Sequence, residues 1–243
     1  MSKMNYEKLR DDLAVWLKER AEEANAKGFI FGLSGGIDSA VVAALCKRVF
    51  PKNSLGLIMP CDSIEDDKED ALKIAKAIDL QTEIIDLTKT YEELCKATFT
   101  SNNKLAKSNI KPRLRMTTLY YYGQDLGYLV VGPSNGSEWY VGYSTKYGDS
   151  GADIYPIANI LKTDIFELAK VLNLPEFIIT KKPSAGLWKG QSDEEEMGFT
   201  YDELDSYIRG IKVPKPEIKE KIDNMHKKSN HKRVPVPIFK IKK

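Results

Sequence analysis

Phe29-Ile30-Phe31-Gly32-Leu33-Ser34-Gly35-Gly36-Ile37-Asp38-Ser39-Ala40 is the stretch around which the chain is organised. Phe29 to Leu33 reads as a short buried strand, Ser34-Gly35-Gly36 as a tight turn, and residues 37–49 as a helix. A strand, a glycine turn and a helix N-terminus in that order form an anion cradle. Unpaired backbone N–H groups converge there, and the helix dipole favours negative charge. Phosphate loops that end in Gly-Lys-Ser/Thr send their Lys to the β/γ-phosphates. Here Asp38 stands at the helix start instead. A carboxylate facing a phosphate is repelled unless a cation lies between them, so the loop implies Mg²⁺ bridging Asp38 and a polyphosphate. The alternative is a plain glycine turn with a helix-capping Asp. Ser34 and Ser39, two further hydroxyls flanking the same turn, favour the phosphate.

Outward from this loop the pattern repeats. Before it, Leu9, Leu13, Trp16, Leu17 and Ala21 recur at helical spacing over residues 6–26. After it come apolar runs at 55–59, 83–87 and 128–132, and a run at 154–157 whose Pro156 suits only a sheet edge. Helical segments separate them at 65–78, 91–99 and 109–126, and Leu161, Ile165, Leu168, Ala169 and Leu172 mark one more. Residues 101–108 read as a polar loop, and Thr200-x-x-Glu203 as a capping box. Short strands alternating with helices predict an α/β fold: a doubly wound, mainly parallel five-stranded sheet with helices on both faces. Ligands of such sheets bind beyond the carboxyl ends of the strands, where the strand order switches. The turn at 33–38 and the loop Gly132-Pro133-Ser134-Asn135-Gly136-Ser137-Glu138 would flank that crevice.

Composition narrows the chemistry. The 243 residues, 42% hydrophobic and 30% charged, suit one large domain with a sizeable core, and we take 1–243 as a single domain. No apolar run is long enough to span a membrane. The three cysteines form no C-x-x-C pair and suit a reduced, cytoplasmic setting. The only two histidines, His226 and His231, lie near the C-terminus, which argues against Ser-His-Asp catalysis in the core and against a zinc site. Residues 211–243 hold 11 Lys/Arg against 3 Asp/Glu, a local charge of +8. That tail suits an anionic small ligand or a solvated helix better than nucleic acid.

Ser34-Gly35-Gly36-Ile37-Asp38-Ser39 resembles the pyrophosphate loop of the N-type ATP pyrophosphatases, the PP-loop enzymes that split ATP between the α- and β-phosphates. Further stretches are similar to ammonia-dependent NAD⁺ synthetases. They are Arg113-Leu114-Arg115-Met116; Asn135-Gly136-Ser137-Glu138; Thr145-Lys146-Tyr147-Gly148-Asp149; Lys181-Lys182-Pro183-Ser184-Ala185-Gly186-Leu187-Trp188; and Asp193-Glu194-Glu195-Glu196-Met197-Gly198. The resemblance covers residues 6–233. It implies a Rossmann-like, adenine nucleotide alpha hydrolase-like fold. The implied activity is that of a ligase amidating deamido-NAD⁺ with ammonia to NAD⁺ through an adenylate, with release of AMP and pyrophosphate.

The same resemblance implies roles residue by residue. Gly32, Leu33, Ser34, Gly35, Gly36, Ile37, Asp38 and Ser39 bind the ATP phosphates, with Lys162 and Ser184 also contacting ATP. Asp38 and Glu138 hold Mg²⁺. Arg113, Lys146, Asp153, His231 and Lys232 bind deamido-NAD⁺, which gives the basic tail a place in the substrate site. Lys162 would offset charge during adenylation. Apart from the resemblance, a carboxylate near the activated carbonyl would attract ammonium and help remove its proton; Asp149 is the candidate, the alternative being a structural loop Asp. Residues 181–200 would form a lid that excludes water. The loop after the fourth strand departs from the family pattern, with Pro133 where a Thr usually contacts ATP; Pro brings neither a hydroxyl nor an N–H. The resemblance also implies a homodimer, in which the tyrosine-rich helix 109–126 could supply a contact, and no nucleic-acid partner. Other readings are a PP-loop enzyme that modifies tRNA or forms GMP, and a nucleotide-binding module without turnover.

Overall fold

The computed structural model describes residues 4–62, 65–181 and 192–241. In chain order the elements are α1 (Tyr6–Glu23), β1 (Gly28–Gly32), α2 (Ile37–Val49), β2 (Ser54–Ile58), α3 (Glu65–Ala77), β3 (Gln81–Ile84), α4 (Thr88–Ala97), α5 (Lys104–Ser108) and α6 (Ile110–Leu126). Then follow β4 (Tyr128–Val130), α7 (Gly136–Val141), α8 (Lys162–Val171), α9 (Glu176–Ile179), α10 (Asp193–Met197), α11 (Tyr201–Ile208), α12 (Pro216–Lys228) and a single 3-10 turn at Asn230–Lys232.

The strands form one parallel sheet in the order β3-β2-β1-β4. Alternation along β1 sends Phe29 and Phe31 to one face and Ile30 to the other. The first face packs against apolar residues of α1, α2, α3 and α8. The second packs against Leu55, Leu57 and Val130 with Leu114, Leu119 and Tyr122 of α6. A strand covered on both faces needs a continuous apolar run, which is what residues 29–31 supply. Because β2 lies on one side of β1 and β4 on the other, the crevice opens at the carboxyl ends of β1 and β4.

Two expectations need correction. The fifth strand is reduced to one parallel bridge, Val131 to Ile154. Pro156 has no N–H with which to continue a ladder, although Ile157 is still fully buried. Residues 101–108 are not all loop, because Asn103 accepts from the Ala106 amide and caps the short helix α5.

A third apolar cluster joins Val141 of α7, Met197 of α10, Tyr201 and Leu204 of α11 and Ile222 of α12. The capping box foreseen at Thr200 and Glu203 is present and sets where α11 begins. This cluster brings the C-terminal helices onto the loop that follows β4.

Candidate active site

The turn after β1 is built as a phosphate cradle requires. Gly35 sits at φ +79, and a Cβ there would lie 2.3 Å from the Asp67 carbonyl oxygen, so only glycine fits. The two hydroxyls brace the turn from within. Ser34 N donates to Ser39 Oγ at 3.2 Å, Ser39 Oγ donates to Gly36 O at 2.9 Å, and Gly36 N donates to Ser34 Oγ at 3.3 Å. Gly36 caps α2 without a side chain, so no side-chain acceptor competes with an anion for the first-turn amides. Lys181 closes the outer side, donating to Gly35 O at 3.2 Å and to the Asp67 and Asp70 carboxylates at 2.9 Å each.

Asp38, at the start of α2, meets groups from the other side of the crevice. Asn135 is the N-cap of α7, and its side-chain oxygen accepts from Glu138 N at 3.0 Å. Its amide nitrogen donates to Asp38 Oδ1 at 3.1 Å. One buried Asn thus sets the spacing of the two carboxylates. Between them lies the Lys162 ammonium, bonded to Asp38 Oδ2 and 3.7 Å from Glu138 Oε1. Lys162 begins α8, and its side chain is 2% exposed. Burial pulls the ammonium down, yet Asp38 and Glu138 together push it above its ordinary value. Burial, then Asp38, pushes Glu138 up to about 8 against the pull of Lys162. Tyr201 completes the cluster, its OH 3.3 Å from Glu138 Oε1 and from Asp193 Oδ2, its ring 5.2 Å from Lys162 Nζ. Two hard carboxylate donors beside a phosphate cradle fit Mg²⁺, which is usually held by one or two carboxylates together with substrate phosphates.

The residues expected to bind the dinucleotide form a second group. Lys146 Nζ donates to His231 O at 2.7 Å, and Arg113 Nε donates to Lys146 O at 3.3 Å. Lys232 Nζ donates to Gly142 O and Ser144 O at 2.7 and 2.5 Å. These contacts bring the basic tail against the segment after α7. Asp149 is close by and accepts from Thr145 N at 2.8 Å; burial pushes it up, with Lys232 among the groups pulling it back. Asp153 stands apart from that group, accepting from Val130 N at 2.8 Å and from the Tyr120 hydroxyl at 2.9 Å. Ser184 and the Pro-Ser-Ala-Gly-Leu-Trp run lie outside the described residues, as does much of the expected lid. Of the remainder of that lid, residues 193–197 are helical.

Sequence reasoning assigned no role to Asn135, Ser137, Tyr201 or Asp205, all of which the structure draws into this cluster. The signals were slight. Asn135 and Ser137 share one loop with Glu138, and Tyr201, Leu204, Asp205 and Ile208 share a helix face that is apolar apart from one carboxylate.

Comparison with known proteins adds an independent line. The NAD synthase family profile matches residues 9–236. The chain is 57% identical over 231 residues to an NH(3)-dependent NAD(+) synthetase of Finegoldia magna, covering 95% of each. The solved structure of an NMN synthetase from Francisella tularensis superposes with a TM-score of 0.94 at 39% identity, covering 98% of this chain and all of that one. An NH3-dependent NAD synthetase from Campylobacter jejuni, solved in complex with the nitrate ion, gives a TM-score of 0.83 at 30% identity with the same coverage.

Proposed function

This chain belongs to the NAD synthase family, and on that premise we propose that it catalyses the last step of NAD⁺ biosynthesis. The reaction is the ATP-dependent amidation of deamido-NAD⁺ by free ammonia, releasing AMP and pyrophosphate. The nicotinate carboxylate attacks the α-phosphorus, the bond to the β-phosphate breaks, and pyrophosphate departs into the turn at 33–38. Ammonia then attacks the carbonyl of the mixed anhydride, gives up a proton, and AMP leaves. The carrying observation is the meeting of Asp38, Glu138 and Lys162 from opposite sides of one crevice, beside a glycine cradle that has no lysine of its own.

Each site residue has a proposed part. The cradle residues 32–39 bind the polyphosphate, and Ser184 is assigned a contact to ATP. Lys162 faces the anions brought together during adenylation, where a fixed cation in a dry site has its largest effect. Mg²⁺ held by Asp38 and Glu138 would supply the rest of that charge compensation. Arg113, Lys146 and Lys232 offer positive charge to the dinucleotide phosphates, His231 a ring nitrogen, and Asp153 a carboxylate to its hydroxyls. On this reading the C-terminal tail belongs to the same single domain and substrate site. Asp149 attracts ammonium and assists its deprotonation; an unchanged ammonium dependence in Asp149→Asn would remove that role. A homodimer in the cytoplasm is part of the same proposal. Tyr121, 74% exposed on α6, and the exposed apolar residues Ile238 and Phe239 support the dimer.

The likeness to the Francisella NMN synthetase favours a second reading, the same amidation performed on nicotinate mononucleotide. One assay separates them. The protein is given Mg²⁺-ATP, ammonium and either deamido-NAD⁺ or nicotinate mononucleotide, and AMP and the amide product are quantified. Higher kcat/KM for the dinucleotide supports the first reading, and the reverse the second. No AMP with either substrate overturns both.

A further inference from the structure

We infer that Asp205, remote in sequence from Asp38, Glu138 and Lys162, is a positioning residue that fixes Lys162 and Glu138 relative to one another. The inference rests on the amidation reading for its kinetic consequence and on geometry alone for its structural one. Helix α8 begins at Lys162, and its N-cap, Leu161, has no side-chain acceptor for the first-turn amides. An uncapped start leaves those donors unsatisfied. The cap is borrowed: Thr163 N donates to Asp205 Oδ2 at 2.9 Å, and Lys162 N donates to Ser137 Oγ at 2.8 Å. The Ser137 hydroxyl in turn donates to Asp205 Oδ1 at 2.5 Å. One carboxylate therefore closes a ring through α7, α8 and α11. That ring grips the backbone of Lys162 itself and the residue next to Glu138.

The choice of residue is informative. Asp205 is 0% exposed and no Lys or Arg pairs with it among the described residues. Burying a carboxylate without a cation is costly. A helix N-terminus and charge-assisted hydrogen bonds offset that cost. An apolar side chain would fill the same space without it, but could not accept from two elements at once. A carboxamide places an acceptor at only one of the two oxygen positions and a donor at the other. Tyr201, one helical turn earlier on α11, brings its OH to 3.3 Å from Glu138, so the same helix reaches the site at two points. The capping box at Thr200 and Glu203 sets where α11 starts and hence where both side chains point.

The test uses the full chain with Asp205→Asn, Ser137→Ala and the double variant. Asn can still accept from Thr163 N, but its NH₂ then faces Ser137 Oγ and the serine loses its acceptor. Asp205→Asn is expected to lower kcat for AMP formation at least tenfold, with KM for deamido-NAD⁺ within twofold of wild type. Ser137→Ala breaks the same relay, so the double variant should be no worse than the more affected single. Hydrogen exchange at the Lys162 amide should accelerate in both singles, because Ser137→Ala removes its acceptor and Asp205→Asn frees the hydroxyl that accepts from it, and this readout needs no turnover. A carboxylate that only stabilises the fold would lower the melting temperature and leave kcat unchanged well below it. Asp205→Asn with kcat within twofold of wild type overturns the inference, as does unaltered amide exchange. Should Asp205→Asn fail to fold, the small buried change Ser137→Ala decides by the same two measurements. Absence of AMP from the wild type would count against the amidation reading alone, and the exchange data would still decide the positioning role.

Discussion

Replacing Lys162 by Met removes one ammonium and keeps most of the length of the stem. The ammonium lies between Asp38, to which it is hydrogen-bonded, and Glu138 at 3.7 Å, on a side chain that is 2% exposed. At an effective dielectric of about 20, a pair of unit charges at that separation interacts by ~4 kcal/mol. Removing one partner of a buried pair typically costs about 3–5 kcal/mol, because the remaining charge is stranded. Burial and Asp38 already push Glu138 up, and losing the pull of Lys162 pushes it further, so in the variant it takes a proton and relieves part of this. Lys162→Met should therefore fold with a stability loss of about 2–4 kcal/mol, read from the urea midpoint at an unchanged m-value. In the assay, loss of a fixed cation facing developing charge should lower kcat by about 10²–10³. A third measurement isolates the electrostatics. Mg²⁺ without nucleotide should raise the melting temperature of Lys162→Met more than that of wild type, whose carboxylates already have a counter-ion. Turnover within threefold of wild type at saturating Mg²⁺-ATP would show that Lys162 is only a structural counter-ion. An unshifted urea midpoint would refute the buried-pair argument itself.

Other perturbations probe separate parts of the site. Gly35→Ala forces an L-residue to φ +79, at about 1–2 kcal/mol, and drives a methyl to 2.3 Å from Asp67 O. AMP formation should fall at least tenfold, whereas Gly36→Ala, whose Cβ meets only Ser34 Oγ at 3.4 Å among the described residues, should retain far more activity. Asp149 has its folded pKa raised by burial, so its contribution to stability is present in acid and is lost as pH rises through that folded value. The melting-temperature deficit of Asp149→Asn should therefore shrink from pH 4 to pH 8, and a deficit that grows over that range would contradict the sign. Lys146→Ala removes the bond to His231 O, and should raise KM for deamido-NAD⁺ about tenfold with KM for ATP unchanged, roughly the effect of one lost charge-assisted contact.

How far the chain could be read follows from the range over which each feature is caused. Residues 37–49 form a helix at the expected bounds because the glycine turn and the apolar spacing are local causes. The capping box at Thr200 and Glu203 needs only four residues and appears as foreseen. At 154–157 the apolar residues and β-propensity were correct, but the ladder needs an N–H that Pro156 lacks, so burial survives and pairing does not. Asp38 and Glu138 could be proposed because each stands in a motif, and Lys162 from its match to a family position. The contacts that hold them could not. Asp205 acts across 68 residues to Ser137 and 42 to Thr163, and nothing in its own neighbourhood marks it beyond a carboxylate on an apolar helix face.

The missing lysine of the phosphate loop has its explanation in the same long-range geometry. A loop that carries its own lysine holds cation and phosphate on one element, and the two move together. Here the ammonium comes from α8, 124 residues after Asp38 in the chain, and meets the loop only when α8 packs with α1 and α2 against the sheet and α7 and α11 hold its first turn. The electrostatic centre of the site therefore depends on tertiary assembly. Loosening α11 from α8 frees the first turn that carries Lys162, while the body of α8 stays packed on α1 and α2. A substitution in the apolar cluster beneath α11 tests this directly. Leu204→Ala, at a fully buried position, should cost about 2–5 kcal/mol in stability. At temperatures where the variant is still folded it should also lower the rate of AMP formation, since Leu204 packs α11 against α7 and α12 and the next residue, Asp205, caps α8. A variant that loses stability in that range yet keeps wild-type kcat would show that α8 holds Lys162 in place unaided.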